Sequence, residues 1–199
     1  SVAHRIAGMN HMARELETTT ARVVVIGGGI VGCSILYHLA KAGWQDVVLL
    51  ERNELTCGST WHAAGSLFSL TTPSNAAALQ KYALDLYGTL EEESGQDCGF
   101  HKTGELWLAC SDEEVKALKV IRGQGLQSGL CTELVSPAEA CRMAPVLREA
   151  GLKAVLFEPD AGFCDPSGVT NAFAKAARKY GAKVHRFTPV LETNQLANG

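Results

Sequence analysis

The sequence lacks the features that mark membrane, secreted or nucleic-acid-binding proteins. Its apolar runs fall well short of the roughly 18 residues that a membrane-spanning helix needs. There are 18 Lys and Arg against 21 Asp and Glu, so the net charge is −3 and no basic surplus is available for nucleic acid. The N-terminus has no apolar core of a secretory signal. We therefore expect a soluble intracellular protein that binds neither membranes nor nucleic acid.

The seven cysteines also lack a recognisable pattern. They include no Cys-x-x-Cys pair and no His/Cys spacing suited to zinc, so no metal site is predicted. An odd number of scattered cysteines is typical of a reducing compartment, and we expect most of these thiols to be buried.

Residues 1–20 carry few large apolar side chains and no steady period, so we expect a disordered leader there. Arg5 and Arg14, which no acidic residue precedes, would fit the remnant of a mitochondrial presequence. Met9 and Met12 equally fit an upstream extension of a bacterial reading frame. We favour the bacterial cytoplasm, with the mitochondrial matrix as the alternative.

The chain is organised around residues 23–65. A β-branched run leads into glycines at positions 27, 28, 29 and 32, a helix follows to Gly43, and a second apolar run ends at Glu51. This is the pattern of a dinucleotide-binding βαβ unit, in which glycines permit the turn and the close approach of a pyrophosphate to the helix N-terminus. Glu51 lies where a carboxylate accepts hydrogen bonds from ribose hydroxyls. On the helix we expect one face to carry Val31, Ile35, Leu39 and Ala42.

The rest of the chain alternates helices and strands. Residues 52–72 have no period and are predicted to form a long loop, which is usually functional. Residues 99–164 mix strands and short helices, with helix starts at Ser111 and Ser136. Asp165 and Pro166 begin another helix, followed by a strand over residues 183–187 that we expect to rejoin the first parallel sheet.

These patterns predict an α/β fold with a Rossmann-like parallel sheet and an inserted α+β domain, incomplete at the C-terminus. We assign residues 21–98 to the first part of the nucleotide-binding domain, 99–164 to part of the inserted domain, which the resemblance given below implies is the substrate domain, and 165–199 to the second part of the nucleotide-binding domain.

Two segments carry a more specific resemblance. Leu50-Glu51-Arg52, followed by Gly58-Ser59-Thr60-Trp61-His62-Ala63-Ala64-Gly65, resembles the dimethylglycine dehydrogenase and sarcosine dehydrogenase family of flavoproteins, within the D-amino-acid-oxidase-like superfamily. The likeness continues through Asp160-Ala161-Gly162 and Asp165-Pro166 to Val190.

This resemblance implies FAD as the cofactor, joined covalently to the side chain of His62. It also implies oxidation of an N-methyl amino acid, such as dimethylglycine or sarcosine, by hydride transfer to the flavin. By the same match, Ile30 and Val31 would contact the pyrophosphate, and Glu51 and Arg52 the adenosine. The expected cofactor-binding residues are Gly27, Gly29, Ile30, Val31, Gly32, Glu51, Arg52, Gly58, Ser59, Thr60, Trp61, His62, Ala63, Ala64, Gly65, Ser66 and, through its backbone, Val190.

Members of that family are several times longer than this chain. The resemblance therefore implies a fragment that we expect to be inactive alone, with the acid or base near the flavin and a tetrahydrofolate-binding module lying beyond Gly199. An electron-transfer flavoprotein or oxygen would accept the electrons. His101 is a further titratable residue, for which a structural role is favoured.

Two alternatives stay open. A non-catalytic regulatory subunit, like the pyruvate dehydrogenase phosphatase regulatory protein, shares the architecture, but by the resemblance it lacks histidine at the position of His62. An amino-acid oxidase with non-covalent FAD would not require Trp61-His62.

Overall fold

The computed structural model describes residues 20–71 and 74–195. The leader predicted over residues 1–20 lies, apart from Thr20, outside the described residues. The strands are β1 Val23–Ile26, β2 Val47–Leu50, β3 Ser66–Leu67, β4 Glu105–Ala109, β5 Glu133–Val135, β6 Ala154–Glu158, β7 Gly162–Phe163 and β8 Lys183–His185. The α-helices are α1 Ile30–Lys41, α2 Ser74–Ser94, α3 Asp112–Gln127, α4 Pro137–Met143 and α5 Pro166–Lys179, and a 3-10 turn spans Thr60–His62.

The first sheet is parallel and has the order β1-β2-β8. Val25 of β1 lies opposite Leu49 of β2, which in turn lies opposite Val184 of β8. The predicted return of the chain to this sheet through a helix and a strand is confirmed. β8 is shorter than predicted and ends at His185, because the backbone of Phe187 takes a left-handed φ of 56° that an extended ladder cannot accommodate.

Helices α1 and α5 cover one face of this sheet. Leu36 and Tyr37 of α1 are fully buried beside Phe173 of α5, with 5.1 Å between the ring centroids of Tyr37 and Phe173. The predicted face of α1 is not the buried one, since Val31 is 68% exposed and Ile35 is also exposed. Apolar residues surround most of α1, so the helical period alone fits two stripes, and packing against α5 selects the one with Leu36 and Tyr37.

The second sheet is antiparallel, with the order β4-β6-β5, and α3 packs against it. Its core includes Ala109, Leu118 and Leu156. Between the two sheets, β3 pairs with β7, so that Ser66, just after the 3-10 turn, lies opposite Phe163. The antiparallel region lies where an inserted α+β domain is predicted, and the domain boundaries stay a prediction.

The helix starts that were predicted from local patterns are confirmed. At α3, the Ser111 hydroxyl accepts the Glu114 N–H at 3.2 Å, and the Glu114 carboxylate accepts the Ser111 N–H at 2.9 Å. At α5, the Asp165 carboxylate accepts the Ser167 N–H at 2.9 Å and Pro166 takes the first helical position. At α4, the Ser136 hydroxyl accepts the Glu139 N–H at 3.1 Å, but the expected box is not closed, since the Glu139 carboxylate pairs with Arg142.

The cysteines differ from expectation. All seven are free, but buried thiols are in the minority; the buried ones are Cys33, Cys98 and Cys164. The prediction that most would be buried is therefore wrong, because Cys57, Cys110 and Cys131 lie in exposed loops and Cys141 of α4 is half-buried. Across the described residues, no helix combines the length and apolarity needed to cross a bilayer.

Candidate cofactor site

The glycine turn lies between the end of β1 and the start of α1. Gly27 adopts a φ of 106°, which disfavours any residue with a Cβ, and donates its N–H to Leu50 O at 2.9 Å. A Cβ added to Gly32 would lie 2.0 Å from Gly27 O, so the first turn of the helix rests directly on the glycine turn. Residues 27 and 32 must therefore be glycine for the backbone to follow this path.

The N-terminus of α1 is suited to an anion. Gly29 is the N-cap residue and makes no side-chain cap, and the first turn carries no acidic residue. The positive end of the helix dipole is thus not neutralised from within the helix, and the amides of Val31 and Gly32 belong to the first turn, whose N–H groups lack intrahelical partners. These features fit a diphosphate.

The side chain of Glu51 is hydrogen-bonded to the glycine turn. Its buried carboxylate accepts the Gly28 N–H at 2.6 Å and the Asn53 N–H at 2.8 Å, one on each oxygen. A Cβ on Gly28 would lie 2.6 Å from a methyl group of Leu55, so the turn is tightly packed on this side. Each carboxylate oxygen retains further lone-pair sites, so Glu51 can also accept a hydrogen bond from a ribose hydroxyl.

The C-terminal segment meets the same place. The Glu51 N–H donates to His185 O at 2.9 Å, and the Thr188 N–H donates to Glu51 O at 2.8 Å. Val190 follows two residues later and is exposed, as is Arg52 beside Glu51. The structure therefore ties the segment that carries Val190 to Glu51, although the two are about 140 residues apart in the sequence.

The loop after β2 approaches α1 through one side chain. Thr60 is only 8% exposed, and its hydroxyl oxygen accepts the N–H of Ile30 at 3.0 Å. Its neighbours Ser59, Trp61 and His62 are all exposed. This bond and a second one, from the Thr56 N–H to Gly28 O at 3.0 Å, bring the loop to the glycine turn and the helix N-terminus.

His62 is held from within the loop. Its Nδ1 lies 3.1 Å from Gly58 O, and its ring stacks on that of Trp61 with 3.9 Å between centroids and a tilt of 36°. Because a carbonyl oxygen only accepts, this hydrogen bond favours the tautomer of the neutral ring with the proton on Nδ1 and the lone pair on Nε2.

Beyond His62 the loop returns to regular structure. Ala63 and Ala64 are exposed. Gly65 has a φ of 78°, and its ideal Cβ would lie 2.2 Å from Cys164 O, so only glycine fits this passage. Ser66 then begins β3.

Sequence reasoning missed two contacts in the site. The bond between Thr60 and Ile30 joins residues 30 positions apart, and Leu55 packs under Gly28 from within a loop that has no period. No local pattern marks either residue.

His101, for which a structural role is favoured, pairs with Phe163 in an isolated bridge away from the turn.

A buried thiol, that of Cys33, lies next to the turn and is unreactive. Burial raises the pKa of the Cys33 thiol, below the turn, to about 12, so this thiol is not a nucleophile at neutral pH. Within residues 20–71 and 74–195, no three His, Cys, Asp or Glu side chains gather as a metal site.

Comparisons with known proteins agree with this geometry. The profile of the family described as "FAD dependent oxidoreductase" (DAO) matches residues 22–199. Mitochondrial dimethylglycine dehydrogenase of Rattus norvegicus is 40% identical over 90% of this chain, and mitochondrial sarcosine dehydrogenase of Homo sapiens is 38% identical over 86% of it. The mitochondrial pyruvate dehydrogenase phosphatase regulatory subunit of Mus musculus is 36% identical over 86%. The chain spans only 21%, 19% and 20% of these three relatives.

A solved structure is similar over the same region. The crystal structure of L-proline dehydrogenase from P. horikoshii matches with a TM-score of 0.83 and 34% identity, covering 89% of this chain and 47% of that one. The predicted fold class and the predicted family resemblance are both confirmed.

Proposed function

This chain belongs to the DAO family of FAD-dependent oxidoreductases, and we propose that it is the FAD-binding part of an enzyme that oxidatively demethylates an N-methyl amino acid such as dimethylglycine or sarcosine. Two relatives reported above, named as dehydrogenases of these substrates, support the proposal. When bound, FAD would supply a two-electron acceptor for the substrate and an electrophilic 8α-methyl carbon. The protein would bind and orient it.

The residues present fit FAD. In this proposal the diphosphate lies at the N-terminus of α1, against the amides of Val31 and Gly32, because the first turn carries no acidic side chain and the Ile30 amide, expected to contact the pyrophosphate, donates to Thr60. Glu51 accepts hydrogen bonds from the adenosine ribose, and Arg52 and the backbone of Val190 lie on the same side. The flavin end then extends towards the exposed Trp61 and His62.

The arrangement of His62 is the observation that carries the proposal. Gly58 O accepts the Nδ1 proton at 3.1 Å, and the exposed ring presents the Nε2 lone pair. A neutral imidazole with a free lone pair is a competent nucleophile, so we propose that Nε2 bonds to the 8α-methyl carbon of the flavin. Trp61, stacked on the ring, would restrict its rotation.

The test uses the full-length protein. After acid denaturation and centrifugation, flavin absorbance should stay with the pelleted polypeptide. His62→Ala should release all flavin to the supernatant, whereas His101→Ala, which alters another exposed histidine, should retain it. Flavin in the supernatant of the unaltered protein would contradict covalent attachment and favour an amino-acid oxidase with non-covalent FAD.

Substrate and partners need turnover measurements. Dimethylglycine, sarcosine and glycine should be compared with a dye as electron acceptor, then with oxygen and with an electron-transfer flavoprotein. Formation of methylene-tetrahydrofolate from added tetrahydrofolate would support the folate module proposed outside this chain. We keep the bacterial cytoplasm as the proposed location, with the mitochondrial matrix as the alternative.

The second candidate is a non-catalytic regulatory subunit. The similarity to the pyruvate dehydrogenase phosphatase regulatory subunit favours it. The histidine at position 62 supports catalysis instead. Acid-stable flavin together with turnover of an N-methyl amino acid would reject the regulatory role, and absence of both would support it.

A further inference from the structure

We propose that Thr60 is a positioning residue that caps helix α1 from the loop and thereby fixes His62 relative to the diphosphate end of the cofactor. This inference rests on the proposed function for its consequence, but its structural basis is independent of any ligand. The resemblance implied that Thr60 contacts the cofactor directly, and the inference replaces that contact with a role through the protein.

Thr60 differs from every residue around it. It is 8% exposed, while residues 57–59 and 61–64 are exposed. Its hydroxyl oxygen accepts the Ile30 N–H at 3.0 Å and lies 3.0 Å from where a Cβ of Gly29 would be. The hydroxyl therefore caps the first amide of α1 from the side, and any side chain at position 29 would press against it.

A cap from outside the helix solves a conflict at this terminus. A Ser, Asp or Asn cap at position 29 would satisfy one amide, but its side chain would share the space that an approaching diphosphate needs. Gly29 leaves that space free and provides no cap of its own. Thr60 satisfies the first amide of the helix, and the following amides of Val31 and Gly32 remain for the anion.

The same bond fixes His62. Thr60 is the first residue of the 3-10 turn that contains His62, and Thr60 O accepts the Ala63 N–H at 3.1 Å. His62 donates its N–H to Ser59 O at 3.2 Å. The imidazole is therefore two residues from an anchor on α1, within a turn closed by its own hydrogen bonds. We infer that the anchor sets the distance between the diphosphate and the attachment nitrogen.

Attachment is the step that this geometry should affect. It forms a bond between His62 Nε2 and the 8α-methyl carbon. One methyl hydrogen and the imidazole hydrogen would pass to the flavin ring, together with the electron pair of the broken C–H bond, and dioxygen would then take up both hydrogens and two electrons as hydrogen peroxide. The rate depends on how often Nε2 lies within bonding reach of that carbon.

The experiment compares Thr60→Val, which keeps the shape but removes the acceptor, with Thr60→Ser, which restores it. Apo-protein of full length is mixed with saturating FAD, and acid-stable flavin is followed in time. Losing one buried hydrogen bond should slow attachment by about tenfold in Thr60→Val and leave Thr60→Ser near the unaltered rate. Reversible FAD affinity, measured in the His62→Ala background, should change by less than about threefold, because the diphosphate amides are untouched.

Thr132→Val is the matched control. Thr132 is also 8% exposed, lies before β5 in the second sheet, and has a hydroxyl without a hydrogen-bond partner within the described residues. Its substitution should leave the attachment rate unchanged. Attachment by Thr60→Val at the unaltered rate would overturn the proposal. An equal loss of attachment rate, FAD affinity and melting temperature would also overturn it, since that pattern marks general unfolding.

Hydrogen exchange separates this proposal from the proposed function. The Ile30 amide should exchange about tenfold faster in Thr60→Val than in Thr60→Ser, with or without FAD. If the unaltered protein carries no acid-stable flavin, the covalent function fails while the exchange rates still test the cap. Equal exchange rates in the two variants would overturn the cap whatever the flavin does.

Discussion

The two halves of the proposed FAD site are built in opposite ways. The turn half consists of residues 27–33 with Glu51. Leu55 packs against it, and the buried Glu51 carboxylate accepts a backbone N–H on each of its oxygens. The loop half, residues 57–65, leaves most of its side chains exposed, with Trp61 58% exposed, and buries Thr60. One half is thus fixed by its own packing, and the other depends on an anchor to the first.

This difference matches the two tasks that the proposed function gives the site, which are to bind the cofactor and to bond to it. Affinity for an adenosine diphosphate requires amides and a carboxylate that are fixed in advance, because ordering them on binding would cost free energy. A residue that forms a bond to the cofactor must instead be reachable. The turn half therefore provides preorganised binding, and the loop half provides an accessible histidine whose position is set by Thr60.

The largest expected difference between the halves is in thiol reactivity. Cys33 lies in the turn half with its Sγ 3.7 Å from Gly28 O, and burial raises its pKa to about 12. Cys57 begins the loop half and is exposed. At about pH 8, iodoacetamide should label Cys57 at least about a thousandfold faster than Cys33, since only an accessible thiolate reacts.

Peptide mass spectrometry over a time course measures both rates in one sample. The exposed Cys110 and Cys131 act as internal standards. Labelling of Cys33 at a rate close to that of Cys57 would show that the turn half opens readily, and the contrast between the halves would be lost.

The turn half was largely predictable from the sequence, and the loop half was not. The apolar runs around the glycines predicted β1, α1 and β2, and the Asp165-Pro166 start predicted α5 and the return through β8, because these signals are local. The buried stripe of α1 was predicted wrongly, since two stripes fit the period and α5 selects between them.

The loop contacts depend on tertiary structure. The contact of Thr60 with Ile30 joins a residue that follows β2 to one that follows β1, and no residue within the loop indicates which of its polar side chains will be buried. The pairing of β3 with β7 likewise joins segments about 100 residues apart. The resemblance indicated that the loop is functional, but the way it is held required the structure.

The next largest difference between the halves is the loss of stability when a glycine is replaced by alanine. Gly32→Ala should destabilise the protein by about 3 kcal/mol or more and abolish FAD binding, because the new Cβ would lie 2.0 Å from a backbone oxygen that cannot move without opening the turn. Gly58→Ala is the matched change in the loop half, where nothing lies within 4 Å of the new Cβ.

Denaturant unfolding gives both stabilities, and quenching of FAD fluorescence gives binding. Gly58→Ala should leave the free energy of unfolding within about 1 kcal/mol of the original value. A large loss of stability in Gly58→Ala would mean that the loop half is as tightly packed as the turn half.

The smallest expected difference is between substitutions of two glutamates, Glu51 and Glu54, that are three residues apart. Glu51→Gln replaces one accepting oxygen with an amide that faces a backbone N–H, so it should cost about 1–3 kcal/mol of stability. Glu54→Gln alters an exposed carboxylate paired with Arg186 and should cost less than about 1 kcal/mol. In the His62→Ala background, Glu51→Gln should also weaken reversible FAD binding by about tenfold, whereas Glu54→Gln should not. Equal effects of the two substitutions on FAD binding would place the adenosine away from Glu51, and the turn half would then bind only the diphosphate.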